Sequence, residues 1–255
     1  GFRTAYVTSA IVGALLLAIS LEGLPAIALV AGIMALVWVC TPAAADQQRV
    51  LRGQCLSAFL VTLTLACVVV QIATRGPGAL VMHWCDSLSL PYFGALAIAA
   101  IGVTALVHMP GRVTASPWLR LSGLGLIAAA SGATLLLIEP TCARGPFGTL
   151  DPLVVHYWYS KVREGQPIWV QFDNLSIFSI APALLGFVGT LLAWRNATEA
   201  DARHRWLLML ALVSGLGILS ILVLWTGSIA HVAALPGLAY LLIRMWTWAR
   251  GLTST

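Results

Sequence analysis

A chain of 255 residues with 60% hydrophobic and only 9% charged residues, and a mean hydropathy of +0.93, has too little polar surface to wrap a water-soluble core. A soluble enzyme or nucleic-acid-binding module is excluded, and the formal net charge of +5 points to anionic membrane lipid as partner, with no nucleic acid. The apolar residues come in runs of about seventeen or more, enough for a helix to cross roughly 30 Å of hydrocarbon. A β-barrel would alternate instead. The expected fold class is therefore all-α, a polytopic transmembrane helix bundle of about eight spans.

Spans are predicted near residues 4–21, 24–40, 55–73, 93–109, 120–138, 175–193, 206–225 and 230–248. Only Leu21-Glu22-Gly23-Leu24-Pro25 divides the first two. One continuous helix there would put Glu22 at mid-membrane, where a carboxylate is costly, so a tight helical hairpin is expected. The chain begins Gly1-Phe2-Arg3 without a methionine. It reads as a single transmembrane domain over 1–255, expected to be a piece of a longer protein.

An even number of crossings sorts the connections onto two sides. Arg3, Arg49, Arg52, Arg112, Arg120, Arg195, Arg203, Arg205, Arg244 and Arg250 share one side with both ends, leaving Arg75, Arg144, Lys161 and Arg163 of the 14 basic residues on the other. The positive-inside rule puts the arginine-rich side in the cytoplasm and the other, the loop side, outside it. Tryptophan prefers the headgroup zone. Trp38, Trp118, Trp194, Trp206, Trp246 and Trp248 fall near arginine-side ends, and Trp84, Trp158, Trp169 and Trp225 on or near the loop side.

The chemistry is expected in the two long loop-side segments, 74–92 and 139–174. Cys85 and Cys142 lie there and share an oxidising compartment, which makes them the disulfide candidate; Cys40, Cys55 and Cys67 fall in or beside spans. In the first segment His83 and Asp86 stand close, and in the second Asp151 and His156 do. No HExxH or paired CxxC occurs, so no metal site is expected. Asp151-Pro152 reads as a helix start and Gly165 as a stop. The short amphipathic helix near 152–164 should lie along the outer surface. It carries His156, Trp158, Tyr159, Lys161, Arg163 and Glu164. As a lid it would offer cations to a phosphate and aromatic faces to a sugar; otherwise it is an interfacial anchor. Glu22 is either a polar ligand for substrate or metal facing the bundle or a solvated turn residue, and His231 is read as a capping or interfacial residue. No Asp, Glu, Lys or Arg falls in the central third of a predicted span, which weighs against an ion-coupled transporter.

The run Ala18-Ile19-Ser20-Leu21-Glu22-Gly23-Leu24-Pro25, the Cys85-Asp86 pair after Trp84, and the segment from Cys142-Ala143-Arg144-Gly145-Pro146-Phe147 through Leu150-Asp151-Pro152-Leu153 and Trp158-Tyr159 to Val162-Arg163-Glu164-Gly165 are similar to a group of alphaproteobacterial membrane proteins. Those proteins resemble the polytopic C-type glycosyltransferases and sometimes carry an efflux-pump label. The resemblance covers about residues 5 to 175 and is specific only in the loop 142–165. It implies a bacterial inner-membrane location and a polyprenyl-phosphate-linked sugar donor used on the periplasmic face. An acceptor hydroxyl would attack the anomeric carbon, deprotonated by a carboxylate, while a divalent cation or basic residues steady the departing phosphate. The acidic base of that family lies in an amino-terminal half that is expected to fall outside this chain, so no catalytic residue is assigned. Glu22 and the loop residues become substrate-proximal candidates. The efflux label gains nothing from these residues. The competing class is a non-enzymatic transporter, flippase or assembly subunit.

Overall fold

A computed structural model describes residues 2–145, 147, 151–162, 167–170 and 174–252. Ten α-helices occur among them: α1 Phe2–Ile19, α2 Leu24–Val39, α3 Asp46–Arg75, α4 Leu90–Val107, α5 Gly111–Ala115, α6 Pro117–Ile138, α7 Pro152–Tyr157, α8 Asn174–Asn196, α9 Ala200–Leu222 and α10 Gly227–Leu252. No strand is found among the described residues. Among the described residues, six helical stretches are long and apolar enough to cross a membrane, with mean hydropathy from 1.5 to 2.3, and Thr4–Ile19 is a shorter apolar helix. The chain is an all-α, multi-pass membrane protein. It divides into two compact units, residues 1–151 and 152–255.

Unit 1 is organised around α3. Its Leu56, Phe59, Leu60, Leu63 and Cys67 are buried and recur at the i, i+3, i+4, i+7 spacing that puts them on one helical face. They pack with Ala10, Ala14 and Leu17 of α1 and with Phe93, Val103 and Leu106 of α4. Leu65, Val69 and Ile72 point outward and are exposed, as expected where lipid is the solvent. The helix is 30 residues long and begins nine residues before the span predicted at 55–73. Hydropathy marks only the part of a helix that lies in hydrocarbon. The polar start Asp46-Gln47-Gln48-Arg49 is helical all the same, made of ordinary helix formers ahead of the apolar run.

On the arginine-rich side, charged groups hold the connection from α2 to α3. Arg120, at the start of α6, is 1% exposed. It donates hydrogen bonds to the carbonyls of Trp38 and Thr41, the latter at 2.9 Å, reinforcing the end of α2, where the Trp38 carbonyl also accepts from the Thr41 amide at 3.2 Å. Arg49 pairs with Asp46 and donates to the Ala43 carbonyl at 3.1 Å, while Arg52 donates to Thr41 Oγ1 at 3.0 Å. Trp38 sits near the predicted end, but it is not an interfacial ring. It is 1% exposed, lies 5.8 Å beneath the Arg120 guanidinium, and fills the space left by Gly53, where an added Cβ would come within 2.9 Å of its Nε1.

In unit 2, α8 and α10 meet backbone to backbone. Gly186 and Gly189 face Ala234 and Gly237, and a Cβ on Gly237 would strike Gly186. Small residues permit this approach, which is how helices pack where lipid removes any hydrophobic drive between them. The surface helix starts at Pro152 as expected, but α7 stops at Tyr157 and a 3-10 turn, Tyr159–Lys161, follows. β-branched Val154 and Val155 ahead of four ring-bearing residues are poor helix formers, and the local spiral tightens. The expected stop at Gly165 lies outside the described residues.

Candidate functional site

The loop-side surface of unit 1 is built where α3 ends. Gly76, at φ +81°, turns the chain out of α3 into a 3-10 turn, Pro77–Val81. Hydrogen bonds knit the following stretch into a closed loop. Ser89 Oγ donates to the Trp84 carbonyl at 2.6 Å, the Leu90 amide donates to the Met82 carbonyl at 3.0 Å, and Tyr92 donates its hydroxyl proton to the Cys85 carbonyl at 2.7 Å. Gln71 of α3 reaches the Leu88 carbonyl at 2.8 Å and is 2% exposed. These bonds satisfy buried backbone groups of a segment without regular structure.

Cys85 and Cys142 are disulfide-bonded, with their Cα atoms 5.2 Å apart. The bridge ties this loop to the end of α6, and it brings together two residues that stand three positions before Cys142 and two before Cys85. Glu139 Oε2 lies 3.7 Å from His83 Nδ1. Its Oε1 accepts from Thr141 Oγ1 at 2.5 Å and from the Thr141 amide at 3.3 Å. Chiefly the Thr141 hydroxyl, then the Thr141 amide, hold the Glu139 carboxyl below the usual carboxylate range, outweighing its slight desolvation, and His83 adds to the lowering. Arg75 stands 5.8 Å over the Trp84 ring. Asp86 is exposed beside the bridge, so the predicted neighbour of His83 is not its partner.

Glu22 sits in a 3-10 turn, Leu21–Gly23, whose preceding Ser20 caps it by accepting from the Glu22 amide at 3.3 Å. The hairpin expected between the first two spans is present. Asp151, the last residue of unit 1, is exposed. In unit 2, His156, Trp158 and Lys161 are exposed and Tyr159 is half-buried. His156 meets Tyr157 edge-on at 4.8 Å, and its carbonyl accepts from Ser160 Oγ at 2.6 Å. Arg163 and Glu164 lie outside the described residues.

Beneath the loop surface, a cleft of about 410 Å³ lies among α2, α3, α4 and α6. It reaches from Leu24, Tyr92 and Leu135 at the loop-side ends to Ala35, Val103 and Leu124. At 1.5 Å per residue that is about 16 Å, roughly the hydrocarbon depth of one leaflet. Small residues create the space, among them Ala31, Gly32, Ala99 and Ala128. Its wall holds one orphaned polar atom, the buried Ser131 Oγ, which has no hydrogen-bond partner among the described residues. Glu139 follows Leu135 by about one helical turn, and its amide donates to the Leu135 carbonyl at 3.0 Å.

The arrangement can take an apolar chain and present its polar head to a carboxylate and an imidazole. It cannot hold a divalent cation alone. No group of three or more His, Cys, Asp or Glu stands together among the described residues, and His83 with Glu139 falls short of the donor set such an ion takes. No family model, curated protein or solved structure matches the chain.

Sequence reasoning passed over Glu139 as one more loop-side acid. A signal was present. Once Cys85 and Cys142 are paired, the residues just before each cysteine become neighbours, and Glu139-Pro140 is the start of a capped turn.

Proposed function

We propose that this chain is the membrane-embedded part of a bacterial inner-membrane protein that receives a lipid-linked substrate, a polyprenyl-phosphate sugar, at its periplasmic face. The observation that carries the reading is the cleft. An apolar groove one leaflet deep, opening toward a fixed carboxylate–imidazole pair, suits an amphiphile with a long hydrocarbon tail. The orientation draws support from the concentration of arginine on the side of the chain ends and from the disulfide on the other side, since such bonds persist in oxidising compartments. The sugar and the transfer chemistry are carried by the loop resemblance. No catalytic residue is assigned in this chain.

Membranes containing the protein can be illuminated with a photoreactive polyprenyl phosphate and the labelled peptides mapped. Labelling of α2 and α6 around Ala31 and Ala128, suppressed by excess unlabelled polyprenyl phosphate, is the expected result. Labelling spread evenly over lipid-facing residues such as Val69 and Ile72 would overturn the reading. Labelling of the cleft in a protein that supports no sugar transfer in its natural membrane would favour the flippase or assembly-subunit alternative.

A further inference from the structure

The cleft under Glu139 has a floor, and one side chain makes it. On the arginine-rich side the lining ends at Ala35 of α2, Leu56 of α3, Val103 of α4 and Leu124 of α6. One turn further, on the same face of each helix, stand Trp38, Gly53, Val107 and Arg120, three or four residues on in each case. These positions converge. A Cβ built on Gly53 would lie 2.9 Å from Trp38 Nε1 and 3.2 Å from Val107 Cγ1, and the Arg120 guanidinium lies 5.8 Å from the Trp38 ring. The four helices that wall the cleft thus close on one indole, which is 1% exposed. The cleft is blind at that end.

The indole is fixed from two directions. Arg120 donates to the Trp38 carbonyl and holds its backbone, while Gly53, by lacking a side chain, leaves the ring a close-fitting seat. A packed interior of this kind does not yield to a flexible lipid tail. From Leu24 to Ala35 the depth is about 16 Å at 1.5 Å per residue. At about 1.3 Å of advance per staggered chain carbon, it takes about a dozen carbons in line. An isoprene unit puts four carbons into the main chain, so about three units fill the depth.

We propose that Trp38 determines how much of a lipid tail the cleft takes, namely a straight segment of about a dozen chain carbons, or about three isoprene units. The inference rests on the reading of the cleft as the seat of an isoprenoid tail and adds a length limit to it. A longer tail has to leave the cleft sideways into the surrounding lipid, where further units gain no contact with the protein.

The full chain, purified in detergent at one fixed micelle concentration, is titrated with geranyl, farnesyl and geranylgeranyl phosphate, which grow by one isoprene unit at a time. Decyl, dodecyl and hexadecyl phosphate are titrated in parallel. Comparing proteins in the same micelles cancels the partition of each probe into detergent. In the unaltered chain, affinity should climb to farnesyl phosphate and level at geranylgeranyl phosphate. Trp38→Ala lowers the floor and should raise the geranylgeranyl-to-farnesyl affinity ratio about tenfold, and the hexadecyl-to-dodecyl ratio with it. Ala35→Phe raises the floor and should lower the farnesyl-to-geranyl ratio by a similar factor. Geranyl phosphate is too short to reach the floor. It should bind all three proteins alike, which shows that each variant retains a formed cleft.

Unchanged ratios in both variants, with geranyl phosphate bound, would overturn the length limit and leave the isoprenoid reading standing. If neither variant binds geranyl phosphate, the unaltered chain decides: a geranylgeranyl-to-farnesyl step as large as the farnesyl-to-geranyl step overturns the limit. A break in the alkyl series without binding of prenyl phosphates would keep the floor and remove the isoprenoid reading. Binding of neither series would remove both.

Discussion

Glu139 illustrates how a residue's chemistry is set by neighbours that its sequence position does not reveal. By sequence, His83 has Asp86 three residues on. In space its partner is a carboxylate 56 residues away, delivered by the disulfide. The lowered carboxyl pKa has a definite consequence for stability. A group whose folded pKa is depressed contributes stability that is present above its unfolded pKa and lost as pH falls through the folded value. Unfolding of unit 1, followed against pH for the unaltered chain and for Glu139→Gln, should therefore show two curves that separate toward neutral pH and converge in acid below the usual carboxylate range. Parallel curves at all pH values would remove the Thr141 and His83 interactions as stabilising contacts. The buried arginines carry the complementary lesson. Charge counting reads Arg120 as one of many cytoplasmic cations, whereas the fold uses it to close the end of α2.

At the scale of elements, the helices were legible because apolar length is a strong signal and the bilayer enforces it. Their ends were not. α3 runs well past its apolar core into Asp46-Gln47-Gln48-Arg49, and α7 ends after six residues because local packing preferences prevail over a favourable start at Pro152. The pairing of helices was not legible either, since the glycines that permit it look alike in sequence. At Gly237 an added Cβ would run into the backbone of Gly186 and the hydroxyl of Thr190. Gly237→Val should destabilise unit 2 by about 1–3 kcal/mol or more through overpacking, measured by unfolding in detergent micelles. Gly217→Ala, at a position with open space around it, should be nearly neutral. Equal effects of the two would mean that α8 and α10 do not meet as described.

For the molecule as a whole, composition alone was sufficient for a multi-pass helical protein, and the cysteine pair was recoverable from loop sidedness. The cleft was not, because it is a space left by alanines and Gly32 on helices whose facing cannot be read from one sequence. The candidates at His156, Trp158, Tyr159 and Lys161 belong to unit 2, and the cluster around Glu139 belongs to unit 1. The part of the functional account that reaches furthest, a lipid-linked sugar met outside the cytoplasm, depends on which way the loops face. Fusions of alkaline phosphatase and of green fluorescent protein after Gln166, with matched fusions after Asn196, test that directly. Active phosphatase with dark fluorescence is expected at the first site and the reverse at the second. Bright fluorescence with silent phosphatase after Gln166 would contradict it.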